Sequence, residues 1–413
     1  MPDYDGRGQR ATTVGDVAIW IPRGLLAPFY LFTERLLRAP LGFVVATADK
    51  NHWPVTVLGF FTFGPSQQAG IFPTAFFDFG LRPSVGLYGY VDRFFHPANR
   101  LTYQVGTWGP SWLSFSVKDQ VTVAKDAFIS LGASYNRRPD QPFYGRGPRS
   151  HSRDESRYGL TAVEVPLRLD VRFSHAVRLL AGAGLRTIRF HGSDCCGDPD
   201  ISVPIAQGRF AAPPGYPGGY NALFTGAELV VDSRPRRPKN QTGARVAAHA
   251  EHGFDPSPTA PSNWLKWGGN AGAYLDLGRQ RTVGLKGNVL FAERLRGTLP
   301  FLEEPSLGGF GLMRGYLQNR LVDRSALVGE LEYRWPVWVF LDGTLQASVG
   351  NVFGTHLDEL RAKLLRLSGA IGVRSNNSAD HQLEVLVGFG TETFGEGLPI
   401  SSIRIFVGGT NGF

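Results

Sequence analysis

The sequence of 413 residues contains only two cysteines, Cys195 and Cys196, and they are adjacent. Two neighbouring cysteines exclude a disulfide framework and a repeated zinc-ribbon pattern. The chain also lacks an uninterrupted apolar run of the roughly 18 to 20 residues that a membrane-spanning helix needs. The nearest approach, at residues 25–32, has charges on both sides. A helical membrane protein is therefore excluded.

Charge is scarce as well, because Asp, Glu, Lys and Arg make up 19% of the chain against roughly a quarter in ordinary soluble domains. Aromatic residues reach 12%, and the 52 glycines and 28 prolines indicate many turns. The 42% of hydrophobic residues excludes a disordered chain. A net charge of +8 suits nucleic acid, anionic lipid or lipopolysaccharide equally, but no nucleic-acid motif occurs.

From about Ala69 onward, apolar residues recur with period two in segments of roughly 9 to 14 residues, which is the periodicity of strands. In residues 160–173, Val165 and Leu167 at odd positions are apolar, whereas Glu164 and Arg168 at even positions are charged. Strands of this length match those that cross a bilayer. The alternative, a soluble propeller, would need a blade-like repeat, and none is present.

Counting such segments predicts sixteen strands. They span residues 69–79, 84–94, 100–108, 111–123, 126–137, 158–173, 177–192, 219–231, 242–254, 264–277, 281–293, 324–336, 338–352, 365–375, 383–392 and 401–412. Short turns alternate with long loops through the last ten strands, as expected when only one rim faces the outside. The predicted fold is all-β, a 16-stranded antiparallel transmembrane barrel over residues 54–413.

Residues 1–53 form a separate N-terminal segment in this interpretation. Leu25, Leu26 and Phe29 recur at helical spacing, which predicts a short amphipathic helix. The helix would lie at the membrane interface under or inside the barrel, or would pack on the barrel rim. No basic region followed by an apolar stretch occurs at residues 1–10, so we expect any secretory signal to lie upstream.

A motif in the predicted loop between strands 11 and 12 carries a family resemblance. Residues 305–353 contain Met313-Arg314-Gly315-Tyr316, residues 142–158 contain an FYG sequence, residues 230–243 contain an Asp-Ser-Arg turn, and the chain ends on Phe413. In this order and spacing the sequence resembles the barrel of the BamA/TamA family of outer-membrane assembly and secretion proteins, also called bacterial surface antigens. The first fifty residues cannot hold a POTRA domain, so the resemblance is to a POTRA-less branch.

The resemblance implies that the loop folds into the lumen and places Arg314 against strands 12 and 13. By parity Glu330 and Glu332 point inward on strand 12, and Asp342 is a further candidate partner on strand 13. Where the family has an acidic residue on strand 13, this chain has Gln346-Ala347-Ser348-Val349-Gly350, with Ser348 at the acidic position. The alternative leaves Arg314 in solvent as an ordinary loop residue.

The function implied by the resemblance is assistance in inserting or exporting protein or lipid at the bacterial outer membrane. A client strand would pair at a lateral seam between the first strand, near Ala69, and the last, which contains Ile403 and Ile405 and precedes Phe413. Expected partners are outer-membrane lipid and lipopolysaccharide, unfolded outer-membrane proteins, and a periplasmic or lipoprotein partner in place of POTRA domains. The alternative is a passive pore or structural barrel. We expect no enzyme activity, cofactor or metal.

Three further groups of polar residues remain open. Cys195 and Cys196 lie between His191 and Asp198, where a vicinal disulfide or no bond is favoured over a metal site. His249 and Glu251 are predicted to line the lumen, and no nucleophile motif accompanies them. Arginines near the 138–157 loop either contact lipopolysaccharide phosphates or are solvated; they are Arg137, Arg138, Arg146, Arg149, Arg153 and Arg157.

Overall fold

The computed structural model describes residues 20–33, 35, 50, 59–235, 241–257, 261–338, 341–375 and 383–409. Sixteen long antiparallel strands pair in chain order, and the last strand pairs with the first, so the sheet closes into a barrel. The predicted fold class is confirmed. Within the described residues no helix is long and apolar enough to cross a membrane.

The barrel strands are numbered here in chain order. They are β1 (Ala69–Asp78), β2 (Ser84–Asp92), β3 (Asn99–Thr107), β4 (Leu113–Ala124), β5 (Ala127–Phe143), β6 (Ser156–Arg172), β7 (Val177–His191), β8 (Tyr220–Asp232), β9 (Gly243–Asp255), β10 (Ser262–Asp276), β11 (Thr282–Arg296), β12 (Ser325–Trp338), β13 (Leu341–Phe353), β14 (Arg366–Ser375), β15 (Leu383–Thr391) and β16 (Ile400–Gly409).

The largest boundary difference from prediction is at β5 and β6. The ladder between them continues past a bulge between Arg138 and Gln141 as far as the pair Phe143 and Ser156. Polar and proline residues interrupt the period-two pattern there, so the extension is invisible in the sequence. It persists because Phe143 packs edge-to-face against Phe301 in the loop between β11 and β12.

The two faces of the strands differ as the sequence predicts. Leu285 on β11 and Leu331 on β12 point outward and are 64% and 50% exposed. Glu330 and Glu332, at the alternate positions of β12, point inward and are buried. An apolar outer face and a polar inner face are the arrangement of a barrel that has lipid outside and water or protein inside.

The two rims are also unequal. Short turns such as residues 125–126 and 173–176 form one end, here called the turn rim. Long connections form the other end, here called the loop rim, and these include residues 192–219, which contain the short helix α2 (Ser202–Ala206), and residues 297–324.

The N-terminal helix α1 (Trp20–Thr33) lies at the turn rim. The guanidinium of Arg23 donates to the carbonyl of Leu277, in the turn between β10 and β11, at 2.6 Å. This contact matches the rim-packing alternative. The predicted domain boundary at residues 53 and 54 lies outside the described residues. Just before β1, the segment at Thr62–Phe63 forms a two-residue strand.

Candidate functional site at the inward loop and the barrel seam

The loop between β11 and β12, residues 297–324, folds back against the inner wall of the barrel. Its two arms pair through the short strands Ser306–Leu307 and Leu321–Val322. Met313 and Tyr316 at its tip are completely buried, in one cluster with Val328 of β12. Apolar residues of the loop and of the wall thus share one core, which holds the tip in a fixed position.

Arg314 reaches the inward face of β15. Its guanidinium forms an ion pair with Glu384, which is fully buried. The carbonyl of Arg314 also accepts a hydrogen bond from Arg404 of β16 at 3.1 Å. A buried guanidinium needs such partners because removing it from water costs several kcal/mol.

Gly315 lies so close to β15 that no side chain fits. A Cβ atom there would lie 1.9 Å from the carbonyl oxygen of Phe389. The amide of Gly315 donates to the hydroxyl of Ser368 at 2.9 Å, and its carbonyl accepts from Ser402 at 3.1 Å. Glycine is therefore required by the close approach of two backbones.

Tyr316 occupies space that a second glycine leaves open. Its ring lies where a side chain of Gly390 would project, with a Cβ atom 2.2 Å from the ring. The phenolic oxygen lies 2.6 Å from the carbonyl oxygen of Thr391 and accepts from the amide of Thr391 at 2.9 Å. Arg314, Gly315 and Tyr316 thus dock as a unit onto β14–β16.

The other side of the same loop is held by Glu303. Its carboxylate accepts from Arg186 of β7 at 2.9 Å, from Lys266 of β10 at 2.7 Å and from the hydroxyl of Tyr220 at 2.7 Å. Burial raises the pKa of the Glu303 carboxyl, but the charges of Lys266 and Arg186 outweigh burial and hold that pKa at about 2. The loop is therefore anchored to both sides of the barrel.

A third anchor joins several loops at the loop rim. Glu392, at the end of β15, forms ion pairs with Arg366 of β14 and, at 3.4 Å, with Arg320 of the inward loop. It also accepts from the amide of Ser152, in the loop between β5 and β6, at 2.9 Å. Burial raises the pKa of Glu392, but the two arginines lower it to about 2. This cluster ties the inward loop to its neighbours.

The barrel closes between β1 and β16, and the described part of this junction is short. In the described chain three residue pairs join these strands, with Phe406, Val407 and Gly408 opposite Asp78, Phe77 and Phe76. By comparison β1 and β2 share eight pairs. We call the β1–β16 junction the seam. Its backbone pairing lies at the loop-rim end of β1.

A buried ion pair crosses the inner side of the seam. Arg404 donates from Nε and Nη2 to the carboxylate of Asp78 at distances of 2.7 to 3.0 Å, and neither residue is more than 1% exposed. The same guanidinium donates to the carbonyl of Gly309 in the inward loop and lies over the ring of Phe310. Arg404 therefore joins the first strand, the last strand and the loop.

Two backbone hydrogen bonds fix which edge each β1 residue faces. Asp92 donates to the carbonyl of Gln68 at 2.7 Å, so the backbone N–H and C=O groups of even-numbered β1 residues point toward β2. Phe79 donates to the carbonyl of Ile405 at 2.9 Å, so the backbone N–H and C=O groups of odd-numbered β1 residues point toward the seam. Pro73 is odd-numbered and has no N–H. The seam edge of β1 therefore lacks a donor near its middle.

The start of β1 is paired with the chain's own N-terminal segment. Phe63 lies opposite Ala69, and Thr62 lies opposite Gly70. Because β2 occupies the other edge of β1, this two-residue strand takes the edge that faces the seam. Pro73 thus separates a stretch of β1 that pairs with residues 62–63 from a stretch that pairs with β16.

Comparison with known proteins identifies the type of barrel. No family model and no curated protein matches the sequence. Among solved structures, the chain is similar to BamA from Haemophilus ducreyi lacking POTRA domains 1-3, with a TM-score of 0.56 and 12% identity over 83% of this chain and 70% of that chain. CdiB from Acinetobacter baumannii and CdiB from Escherichia coli give TM-scores of 0.50 and 0.52, each at 12% identity.

The barrel has the fold of BamA and CdiB. This chain spans 60% and 64% of the two CdiB chains, and the alignments cover 83% and 84% of this chain. The predicted resemblance is thus confirmed at the level of the fold.

The sequence Met313-Arg314-Gly315-Tyr316 docks on different strands from those expected. Glu330 and Glu332 form ion pairs with Lys286 of β11 instead of Arg314. Asp342, Gln346 and Ser348 lie on the inward face of β13 and are buried, whereas the ion pair of Arg314 is formed with β15. The loop tip leans toward the seam, where Gly315 and Tyr316 pack closely against Gly388 and Gly390 of β15.

Glu384 and Arg404 were missed by sequence reasoning although a signal for each exists. Each is a charged residue at an inward position of a strand whose outward positions are apolar. Inward charges in such strands need a partner inside the barrel. The parity argument that selected Glu330 would have selected these two as well.

The residues predicted at the seam have different positions. Ala69 pairs with Phe63, and Phe413 lies outside the described residues. Ile405 accepts the hydrogen bond from Phe79, whereas Ile403 pairs with Phe389 on β15. Both isoleucines point outward, so the residue that bridges the seam internally is Arg404 between them.

The remaining polar groups mostly take structural roles. Cys195 and Cys196 form a disulfide with each other, so their sulfurs are not available as thiolate ligands. Glu251 lines the lumen and pairs with Lys266 at 2.6 Å, and His249 lines the same inner cavity. Among the loop arginines, Arg138 and Arg157 are buried in ion pairs with Asp140 and Asp198.

Arg146 and Arg149 are also engaged within the chain, with Glu304 and Glu359 respectively. Four of the six arginines considered for lipopolysaccharide phosphates are therefore paired with carboxylates of the protein. The other two, Arg137 and Arg153, are exposed. This distribution weakens the case for a phosphate site at this loop.

We predict that Arg404→Met lowers the stability of the detergent-solubilised barrel by about 3 to 5 kcal/mol, because the Asp78 carboxylate is left buried without its partner. Thermal unfolding followed by circular dichroism measures the loss. The matched control is Arg178→Met, which breaks a more exposed pair with Asp170. The control should cost under about 1 kcal/mol, and equal losses in the two variants would contradict the importance of the seam pair.

We predict that the barrel becomes more stable as the pH falls from about 8 to about 5.5. Burial raises the pKa of Glu304 to about 7, although Arg146 acts to lower it. A folded-state pKa above the ordinary value of 4.5 means that the carboxyl takes up a proton on folding, so this stabilisation is lost as the pH rises through 7. The full shift corresponds to about 3 kcal/mol, of which about 2 kcal/mol is gained between pH 8 and pH 5.5.

Glu304→Gln should flatten that pH dependence, which the apparent melting temperature across the range measures. Glu359→Gln is the control, because Glu359 pairs with Arg149 at an exposed position. Glu303 and Glu392 lose their stabilising contributions only below about pH 4.5, because their folded-state pKa values are about 2. An unchanged slope in Glu304→Gln would show that this carboxyl does not titrate as expected.

Proposed function

We propose that this barrel assists the insertion or export of protein or lipid at the bacterial outer membrane, with the seam between β1 and β16 as the working site. A client strand would pair with the seam edge of β1 while β16 moves away. The observation that carries the proposal is the seam itself, which combines three described residue pairs with a proline that removes a donor. A fully paired barrel has no comparable edge.

The inward loop supports this proposal because it docks beside the seam. Arg314, Gly315 and Tyr316 contact β14, β15 and β16, and Arg404 ties the loop to β1 through Asp78. In the proposed mechanism the loop holds β16 in register from inside while the backbone pairing of the seam stays weak. Separation of β1 from β16 would then require breaking the Asp78–Arg404 ion pair, which is the main electrostatic cost of opening the seam.

The interior leaves room on the side away from the loop. A cavity of about 590 Å³ lies along the inner wall of β2–β6, and polar residues such as Gln104, Ser116 and Ser134 line it. We propose that this cavity keeps the inner side of the first strands hydrated. Water can then replace the hydrogen-bond partners of their backbone groups while a client strand pairs.

The proposed location is the bacterial outer membrane, and the proposed role is non-enzymatic. We propose that a separate periplasmic or lipoprotein partner recruits unfolded outer-membrane proteins. An affinity pull-down from detergent-solubilised outer membranes would identify that partner by mass spectrometry. Recovery of the barrel alone would favour the passive pore or structural role.

We predict that cross-linking the seam abolishes client assembly. Phe77→Cys and Val407→Cys place two thiols on opposite residues of β1 and β16, where a short bifunctional maleimide can join them. The readout is protease protection of an unfolded barrel client added to proteoliposomes. We expect the cross-linked protein to assemble the client at the rate of empty liposomes.

The control cross-link joins Val231→Cys on β8 to Val246→Cys on β9, an outward-facing pair far from the seam. Assembly should persist in this control. If the protein with the cross-linked seam still assembles the client, the lateral mechanism fails. If the unmodified protein raises only ion conductance and never assembles a client, the barrel is a pore.

We predict that Pro73→Ala strengthens the pairing of a client strand with β1. The alanine adds one N–H to the seam edge, where a carbonyl of the client can accept it, and a backbone hydrogen bond contributes about 0.5 to 1.5 kcal/mol. Position 73 lies beyond the described pairs of β1 and β16, so we expect faster client assembly with little change in the melting temperature. Pro83→Ala removes a proline from the turn between β1 and β2 and serves as the control. Slower assembly by Pro73→Ala would contradict this role.

A further inference from the structure

The N-terminal helix α1 lies on the outside of the barrel wall at the turn rim. Leu26 packs against a buried cluster that contains Tyr333, Trp335 and Val337 of β12. These three are at odd-numbered positions, as is Leu331, which points outward. Side chains of one parity in a strand point to one face of the sheet. The helix therefore contacts the same face that carries the apolar outer belt.

The exposure of β12 changes sharply along this face. Leu331 is 50% exposed, whereas Tyr333 and Trp335, two and four residues further toward the turn rim, are 3% and 1% exposed. Trp335 stacks against Tyr333 and lies over Gly343 of β13. The cluster is thus covered at the turn rim, where α1 supplies Leu26.

The exposed face of α1 is uncharged. Trp20, Gly24, Pro28 and Leu31 are exposed and follow one another at helical spacings of four, four and three residues. Trp20 is 67% exposed and Leu31 is 54% exposed. The charged side chain of Arg23 is instead turned toward the barrel, where it donates to Leu277. A helix on a water-exposed surface shows the opposite arrangement.

We propose that α1 lies in the plane of the membrane at the turn rim, with Trp20 and Leu31 in contact with lipid. The partner is the bilayer, because the exposed face of α1 continues the outer belt that includes Leu285 and Leu331. Tryptophan is favoured at this depth, where its ring is apolar and its N–H reaches polar groups. The helix covers outward-facing aromatic residues and presents its own apolar residues in their place.

This arrangement gives the barrel a second attachment to lipid. The strands cross the membrane, and α1 anchors the N-terminal segment along the surface beside β11–β13. This proposal does not depend on the proposed client-handling function, because a pore with this helix would contact lipid in the same way.

The test measures lipid contact of α1 in the full chain. Leu31→Cys is labelled with an environment-sensitive fluorophore and reconstituted into vesicles of phosphatidylethanolamine and phosphatidylglycerol that carry spin-labelled lipid. Cys195 and Cys196 do not compete for the label, because they are joined in a disulfide. We expect quenching similar to that of the same label at Leu285→Cys on the outer belt.

The matched control is Leu360→Cys, an exposed leucine in the loop between β13 and β14. Its label should be in water and remain unquenched. Trp20→Cys provides a second position on the exposed face of α1, in case the first variant does not fold. Labels at positions 31 and 20 that both behave like the label at position 360 would overturn the proposal.

Discussion

Arg404 is the residue on which the closure of this barrel depends. Its guanidinium is fully buried and bonds the carboxylate of Asp78 on β1 and the carbonyls of Gly309 and Arg314 in the inward loop. Burying a charge is costly unless it is paired and its donors are satisfied. Three chain segments distant in sequence must therefore meet at one point for this side chain to be accommodated.

That constraint links the loop to the seam. The described part of the seam has three residue pairs, and its inner side carries a buried ion pair and the rings of Phe76, Phe310 and Phe406. The inward loop therefore supplies side-chain contacts on the lumen side of the seam.

The chain has a net charge of +8, and several of its arginines are buried in ion pairs. Arg186, Arg320 and Arg366 are inside the barrel or beneath its loops, where Glu303 and Glu392 compensate them. Arg138 and Arg157 are likewise paired with neighbouring carboxylates. Much of the positive charge therefore fixes the positions of loops, which is a structural role that composition cannot distinguish from binding to phosphate.

The sequence alone determined the number of strands, their approximate limits, the inward and outward faces and the location of the Arg314 loop between β11 and β12. These features depend on a period of two, which is local and survives in any closed barrel. The sequence also shows that Pro73 has no N–H. The hydrogen bonds of Gln68 and Phe79 were needed to show that this missing donor belongs to the seam edge of β1.

Only the tertiary structure decided which wall Arg314 contacts and where α1 lies. Parity places Glu330, Glu332 and Glu384 equally well on the inner face, and a strand pattern does not show how far a loop of this length leans. The close approach of Gly315 to Phe389 and the space beside Gly390 select β15. The side of the wall that α1 covers was likewise fixed by long-range packing on Tyr333 and Trp335, because helical periodicity defines a face but not its partner.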